Sequence, residues 1–498
     1  MTSSDHTGPT STCPIERRQW SAQMIRPETD AGIGNQSPFV ETTLVLDADA
    51  PDARLFISAL GLYRCFINGR RVGDDVLTPG WTSYQDRLSY QSYAVGQLLR
   101  RGENTITLWL GDGWLRSTML WKGVRIDNTW GEHLGAIAEI RAGDRLLLAT
   151  DARWKSGLTP IVKSGIYFGE TYDARQEGQP ATRGCTVDAG FDAARLIAHE
   201  INGVKELAPF APISETRDAE GRTIYDFGQN VGGYVAFSVE GEAGATVLVE
   251  HAEILDHEGK FNNTNYRLAE ARINYTLKGE GVEHYRPTFT FHGFRYARVT
   301  VSGRATVRSI VSVPITSATR PTGTLTTASL LVNKLVENTV WSQRGNFIEV
   351  PTDCPQRDER MGWTGDAQVF CATACYQMSS AAFYAKFMRD MAFEQRERGG
   401  GVPHVVPSFG MQGSPACAWA DAGSIIPWTV YQFFGDTALL REQYDNMKLW
   451  VEWIHRVDHE TGDHRLWQAG FLFADWLALD AAFPASCTGG TDPDFIAS

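Results

Sequence analysis

The sequence predicts a multidomain chain in which two β-sandwich domains precede an all-helical region. Three observations predict this. Alternating strand patterns, broken by Gly, Asp, Asn and Pro about every ten residues, dominate the chain as far as Pro321. Beyond Pro321 the apolar period changes from roughly 2 to roughly 3.6. The length of 498 residues suits about three domains, and at 43% hydrophobic and 21% charged the chain can bury cores of that size.

The elements follow in order. Residues 1–34, rich in Ser, Thr, Pro and Gly, read as a flexible arm. Residues 35–205 read as the first sandwich. Leu55, Ile57 and Ala59 alternate with Phe56 and Ser58, Asn68-Gly69 is a type I′ hairpin signal, and Ile106, Leu108 and Leu110 alternate with Thr105, Thr107 and Trp109. Residues 206–317 read as the second sandwich. Val235, Phe237 and Val239 alternate with polar or small partners, Val247 and Val249 do the same after the turn Gly241–Gly244, and Thr288 to Val301 reads as a strand pair broken at His292-Gly293. Pro314 to Pro321 reads as a linker. Residues 318–498 hold about five helical segments. Their apolar stripes include Val332, Leu335, Val336 and Val340, then Phe383, Tyr384, Phe387, Met388 and Met391, then Leu440, Tyr444, Met447, Val451 and Ile454.

Charge and cysteine usage exclude several functions. With 46 Lys+Arg against 59 Asp+Glu the chain carries −13, which argues against nucleic-acid partners held by counterion release. No apolar run is long enough for a membrane span and the N-terminus lacks a secretory pattern. The 8 cysteines are too sparse for a disulfide scaffold. They read as buried thiols in a reducing, cytoplasmic setting, Cys371 and Cys375 sharing one helix face without the further ligands zinc needs. Walker and dinucleotide glycine motifs are absent.

The densest chemistry lies in Glu349 to Asp366. This loop carries Glu349, Asp353, Asp358, Glu359 and Asp366 with Arg357 and Arg360, and Pro355 keeps it out of a regular helix. Crowded carboxyls keep one acid protonated near neutrality, as glycoside hydrolysis requires. Ionised carboxylates accept sugar hydroxyls, and Trp363 offers a flat face to a pyranose ring. Composition alone leaves three readings open: sugar chemistry, a capped helix with a surface salt-bridge cluster, and an acidic metal site. The chain has 15 tryptophans, so a tryptophan without such neighbours reads as core.

Pro351-Thr-Asp-Cys-Pro-Gln-Arg-Asp-Glu-Arg-Met-Gly-Trp-Thr-Gly-Asp-Ala-Gln368 resembles the signature of bacterial α-L-rhamnosidases of glycoside hydrolase family 78. So do Tyr225-Asp-Phe-Gly-Gln-Asn-Val-Gly-Gly233, Pro287-Thr-Phe-Thr-Phe-His-Gly-Phe-Arg-Tyr296, Gly169-Glu-Thr-Tyr-Asp173 and Pro79-Gly-Trp-Thr-Ser-Tyr84. The resemblance covers almost everything from about residue 38 onward. It implies N-terminal and concanavalin-like sandwiches followed by an (α/α)6 six-hairpin barrel. It also implies inverting hydrolysis of terminal α-L-rhamnosyl groups without metal or cofactor. By the same resemblance Glu359 is the general acid and Asp353 and Asp366 hold rhamnose hydroxyls. Arg357 orients the carboxylates, and Trp363, Trp419 and Trp476 wall the subsite. Ala474 replaces a common Gly. Asp358, next to the acid in sequence, points elsewhere outside a helix.

A family general base comes from later in the barrel, and six hairpins need more helices than this chain supplies. The expectation is therefore an incomplete barrel and a truncated chain that lacks the base. Such a chain would expose apolar helix faces and hydrolyse little. A binding protein that uses only its sandwiches is the competing reading. Aglycone, linkage and oligomeric state are not encoded in these motifs.

Overall fold

The computed structural model describes residues 15–476, apart from 122–123, 411–412, 414, 466, 468–469 and 474–475. Cys13, Cys487, Ala474 and the expected helix start near Asp492 lie outside the described residues.

The first β region closes on one core. Strands Leu88–Ala94, Ala53–Leu60, Gly135–Ala142, Ile25–Pro27 and Arg183–Val187 form one run, which continues through Lys155–Leu158 into Pro38–Leu46, Gly102–Gly111 and Leu62–Ile67. Leu55, Ile57 and Ala59 from one half meet Ile106, Leu108 and Leu110 from the other. All six are 0% exposed, so the alternating pattern marks the buried face. Asn68 and Gly69 both take positive φ (52° and 75°), as a type I′ turn demands.

The expected loose arm is corrected here. Ile25–Pro27 is a strand between Gly135–Ala142 and Arg183–Val187, because Met24 and Ile25 supply apolar side chains to the core.

The second sheet runs Ile161–Gly165, Gly169–Asp173, Arg272–Thr276, Thr246–Ala252, His292–Ser302, Thr223–Gly241, Ala305–Thr316, Val204–Glu206 and Asp75–Val76. It therefore recruits strands from before residue 206, and a linear division at 205 does not divide the sheets. Gly169–Asp173 joins Arg272–Thr276 in parallel, a long-range pairing that local patterns do not encode. Val235, Phe237, Val239, Val247 and Val249 are buried as expected.

Two further readings change. His292–Ser302 is one strand, not a pair broken at Gly293. A Cβ on Gly293 would lie 2.8 Å from both Pro355 Cγ and Gln356 Cβ, so the glycine lets the acidic loop lie on the sheet. Strand Ala305–Thr316 also continues through Pro314, shortening the linker, and the Pro314 carbonyl accepts the Leu207 N–H.

Five helices follow: α1 (Leu330–Asn346), α2 (Thr364–Gln377), α3 (Ala381–Glu397), α4 (Ala422–Phe434) and α5 (Thr437–Thr461). The α3 stripe is buried throughout. The α1 and α5 stripes are not the buried faces. Leu335 is 65% and Tyr444 64% exposed. On α5 the buried row is Leu439, Gln443, Asn446, Trp450 and Trp453, one residue ahead of the expected stripe. Two buried amides make that face workable: Asn446 Nδ2 donates to Gln443 Oε1, and Gln395 Nε2 donates to the Asn446 carbonyl. No helix among the described residues is long and apolar enough to cross a membrane.

A buried polar seam joins the first β region to α3 and the head of the acidic loop. Arg87 pairs with Asp390 at 2.7 Å, and the Asp390 carboxylate also accepts the Ser83 N–H at 2.9 Å. Lys386 Nζ donates to the Glu349 carbonyl, whose side chain accepts the Trp81 N–H. The Pro79–Tyr84 motif thus belongs to this junction.

Candidate active site

The acidic loop is fastened from below by Arg360. Its side chain is buried, and its guanidinium donates to the carbonyls of Ile166 and Phe291 at 2.7 and 2.8 Å and to those of Gln356 and Arg357 at 2.9 and 3.1 Å. Tyr167 adds an O–H donated to the Glu359 carbonyl. The second β region thereby sets where the loop's carboxylates stand.

Those carboxylates gather around Arg357. Its Nε donates to Glu359 Oε2 at 2.9 Å and its Nη2 reaches Asp353 Oδ2 at 3.3 Å. Asp353 also accepts the Met361 N–H at 3.1 Å. Burial, and then the negative charge of Glu359, push the Asp353 carboxyl up to about 7. Asp366 stands in the first turn of α2, where a negative charge meets the positive end of the helix dipole.

All these groups line a cavity of about 710 Å³, together with Trp363, Trp419 and Trp476. The aromatic wall converges on Phe473, which sequence reading passed over in favour of Trp476 within the same motif. Phe473 stacks on Trp419 at 4.2 Å and meets Trp363 and Trp476 edge-on at 6.0 and 5.4 Å. Gly365 lets this wall close, because a Cβ there would sit 2.7 Å from the Trp419 ring. Each expected site residue thus lines one cavity. Asp358 does not; it is 1% exposed and pairs with Arg267.

Arg267 is the residue that sequence reading missed. It comes from the second β region, lines the cavity and places Nη2 3.0 Å from Glu359 Oε2. Nothing in its neighbours, Asn263-Thr-Asn-Tyr266, marks it; only the tertiary fold brings it to the loop.

The metal reading has a geometric basis, since ligand atoms of Asp353, Cys354 and Glu359 lie within 4.8 Å of one another. Yet Arg357 already bridges both carboxylates, so a cation would have to displace a guanidinium. EDTA should therefore leave sugar affinity and the unfolding temperature unchanged; a fall of more than about 3 °C, roughly 1 kcal/mol, would restore the metal reading.

Asp353 also predicts a pH effect. Its folded-state pKa lies above the unfolded value of about 3.9, so its contribution to stability is fully present below about pH 4 and is lost as pH rises through about 7. Between pH 5 and 8 the parent should lose up to about 3 kcal/mol that Asp353→Asn retains. Parallel urea titrations of the two proteins would check this, and identical pH dependence would refute it.

Comparison with known proteins gives the same arrangement a lineage. Residues 48–207 match the α-L-rhamnosidase N-terminal domain, residues 216–316 the bacterial α-L-rhamnosidase concanavalin-like domain, and residues 320–498 the bacterial α-L-rhamnosidase six-hairpin glycosidase domain. The chain is 36% identical over 450 residues to an α-L-rhamnosidase of Streptomyces avermitilis, covering 87% of this chain and 42% of that protein. A Formosa agariphila α-L-rhamnosidase is 33% identical over 487 residues, covering 93% and 52%. The crystal structure of the Aspergillus terreus α-L-rhamnosidase superposes with a TM-score of 0.90 at 34% identity, covering 96% of this chain and 57% of that one. The Streptomyces avermitilis enzyme complexed with L-rhamnose superposes at 0.85, also at 34% identity, covering 93% and 45%. The chain spans about half the length of the curated relatives it matches. With all three domain models matched in order, the chain belongs to the bacterial α-L-rhamnosidase family.

Proposed function

We propose that this protein acts in the inverting hydrolysis of terminal, non-reducing α-L-rhamnosyl groups of glycosides or oligosaccharides. The observation that carries the reading is the convergence of Asp353, Arg357, Glu359 and Asp366 on one aromatic-walled cavity. The relative crystallised with L-rhamnose supports the sugar. Glu359 is assigned as general acid, Asp353 and Asp366 as acceptors of sugar hydroxyls, and Trp363, Trp419 and Trp476 as walls against the ring's apolar face.

Asp353, pushed up to about 7 by burial and by the negative charge of Glu359, flanks the same guanidinium as Glu359. A sugar hydroxyl donating to Asp353 favours its ionised form. Inversion also needs a base across the sugar, roughly 6.5–9.5 Å from the acid. Among the described residues, the carboxylates lining the cavity are Asp353, Glu359 and Asp366, all from a single segment. The base is therefore assigned to a carboxylate other than these three. Free thiols at Cys65, Cys185, Cys354, Cys371 and Cys375 support a reducing, cytoplasmic setting.

The test is hydrolysis of an aryl α-L-rhamnoside, with other aryl glycosides as controls, followed by NMR for the first anomer released. β-L-rhamnose is expected, and release of the α-anomer would overturn inversion. The origin of all three carboxylates in one segment favours a second reading, sugar binding without turnover by the chain as given. Robust hydrolysis by this chain would remove that reading and place the base among its own residues. Under either reading Asp353→Asn and Asp366→Asn should each weaken L-rhamnose binding by about 1.5–3 kcal/mol in calorimetry, the worth of a charge-assisted hydrogen bond. Unchanged affinity in both variants would put the sugar elsewhere.

A further inference from the structure

We infer that Arg267, supplied by the second β region, is a positioning residue that fixes which oxygen of Glu359 carries the transferable proton, with buried Asp358 as its counter-charge. The inference rests on Glu359 being the acid. Two guanidinium groups converge on the same oxygen, Arg357 Nε at 2.9 Å and Arg267 Nη2 at 3.0 Å from Oε2. A guanidinium N–H only donates, so an oxygen facing two of them is the acceptor oxygen and not the protonated one. Among the described residues nothing donates to Oε1. In its acid form Glu359 therefore carries the proton on Oε1.

When the C1–O bond breaks, that proton passes from Oε1 to the leaving oxygen, and the O–H bond of Glu359 becomes a carboxylate already held on Oε2 by two cations. No donor has to move to receive the new charge.

The arrangement raises a problem that Asp358 solves. Two cations beside an acid would hold it ionised and unable to donate. Asp358, 1% exposed and outside the cavity, pairs with Arg267 Nε, and its carbonyl accepts from Arg267 Nη2 at 3.1 Å. Arg267 is thereby largely neutralised while its geometry is kept. Two guanidiniums then face three carboxylates, Asp353, Asp358 and Glu359, so one proton brings the set to neutrality. The backbone is built for this reach. Arg267 follows the turn Thr264–Tyr266 with φ of 57°, and buried Tyr266 anchors that turn by donating its O–H to the Gly293 carbonyl.

The test reads ionisation without needing turnover: calorimetric binding of a cationic iminosugar of rhamnose configuration between pH 4 and 9, with neutral L-rhamnose as reference. Iminosugar affinity should rise with pH as the acid ionises. In Arg267→Met the midpoint of that rise should move up by about one pH unit, since a cation is lost from beside the carboxylate. In Asp358→Asn it should move down by about one unit, since Arg267 is then uncompensated. Arg267→Lys should lie between parent and Met. A merely structural defect would not move the two midpoints in opposite directions. Should Arg267→Met fail to fold by circular dichroism, the Asp358→Asn and Arg267→Lys shifts decide the matter alone. Midpoints within about 0.3 unit of the parent in the folded variants would overturn the inference. Glu359→Gln separates the two levels. Asp353, held near 7 in the same cavity, also ionises in this range, so the series is read in an Asp353→Asn background; if the pH-dependent rise persists in Glu359→Gln there, the acid assignment itself fails. If the rise disappears there yet is unmoved in the Arg267 and Asp358 variants, only the positioning role fails.

Discussion

Glu359→Gln should cut turnover of a rhamnoside with a poor, alkoxide-like leaving group by roughly 10²–10⁴-fold while leaving L-rhamnose binding nearly intact. The amide preserves the carboxyl's shape, and its oxygen can still accept from Arg357 and Arg267, so the site should not collapse. What it lacks is a transferable proton. An aryl group that leaves readily as an anion needs little protonation, so its turnover should fall much less. Comparing kcat/KM for the two substrate types separates acid catalysis from a general loss of the site, because a misfolded or displaced loop would depress both equally. Equal losses would move the acid elsewhere. Asp358 is a poor substitute, since it is buried behind Arg267 and does not line the cavity. Asp353, held near 7 and facing the same arginine, would become the candidate.

The contrast between those two aspartates shows what the sequence could convey. Spacing places Asp353, Arg357, Glu359, Trp363 and Asp366 in one segment, and Pro355 with Gly362 and Gly365 gives that segment the turns to converge. Local chemistry was therefore legible. Residue chemistry alone could not separate Arg357 from Arg360, because two arginines three residues apart carry the same charge and the same neighbours; only the family resemblance singled out Arg357. One faces carboxylates in the cavity and the other faces backbone carbonyls, and only the docking of the loop on Ile166 and Phe291, which flank strands of the second sheet, distinguishes them in space. Arg267 was invisible for the same reason at longer range. The fold divides similarly. Alternation at Leu55–Ala59 and Ile106–Leu110 fixed buried faces correctly, since a strand has only two sides. The α1 and α5 stripes misled, because amphipathicity identifies an apolar face without saying which neighbour covers it.

Arg360→Met should destabilise the protein by about 3–5 kcal/mol, more than any other single change to the acidic loop. The guanidinium is 1% exposed and its four described acceptors are all backbone carbonyls, from Ile166, Phe291, Gln356 and Arg357. Burial without a hydrogen-bonded carboxylate pulls its pKa below the usual value, yet an arginine remains charged, and the carbonyl dipoles together with the rings of Tyr167 and Phe291 offset the lost hydration. Methionine fills much of the same volume but strands those carbonyls in a dry junction, where each unpaired acceptor costs about 1–3 kcal/mol before relaxation. Lysine should not rescue it, because one ammonium cannot span acceptors at Ile166, Phe291 and the loop itself. The loss should also have a direction. Arg360 ties the loop to the second β region, so the helical part and its cavity should loosen at lower urea than the sandwiches, turning a shared transition into two. Far-ultraviolet circular dichroism at the helical minimum would report the first step, and tryptophan fluorescence, with seven of the 15 tryptophans before residue 205, would report the second as well. A single transition at the parent's midpoint in Arg360→Met would mean that the carbonyls find other partners and that the loop is held by its remaining contacts.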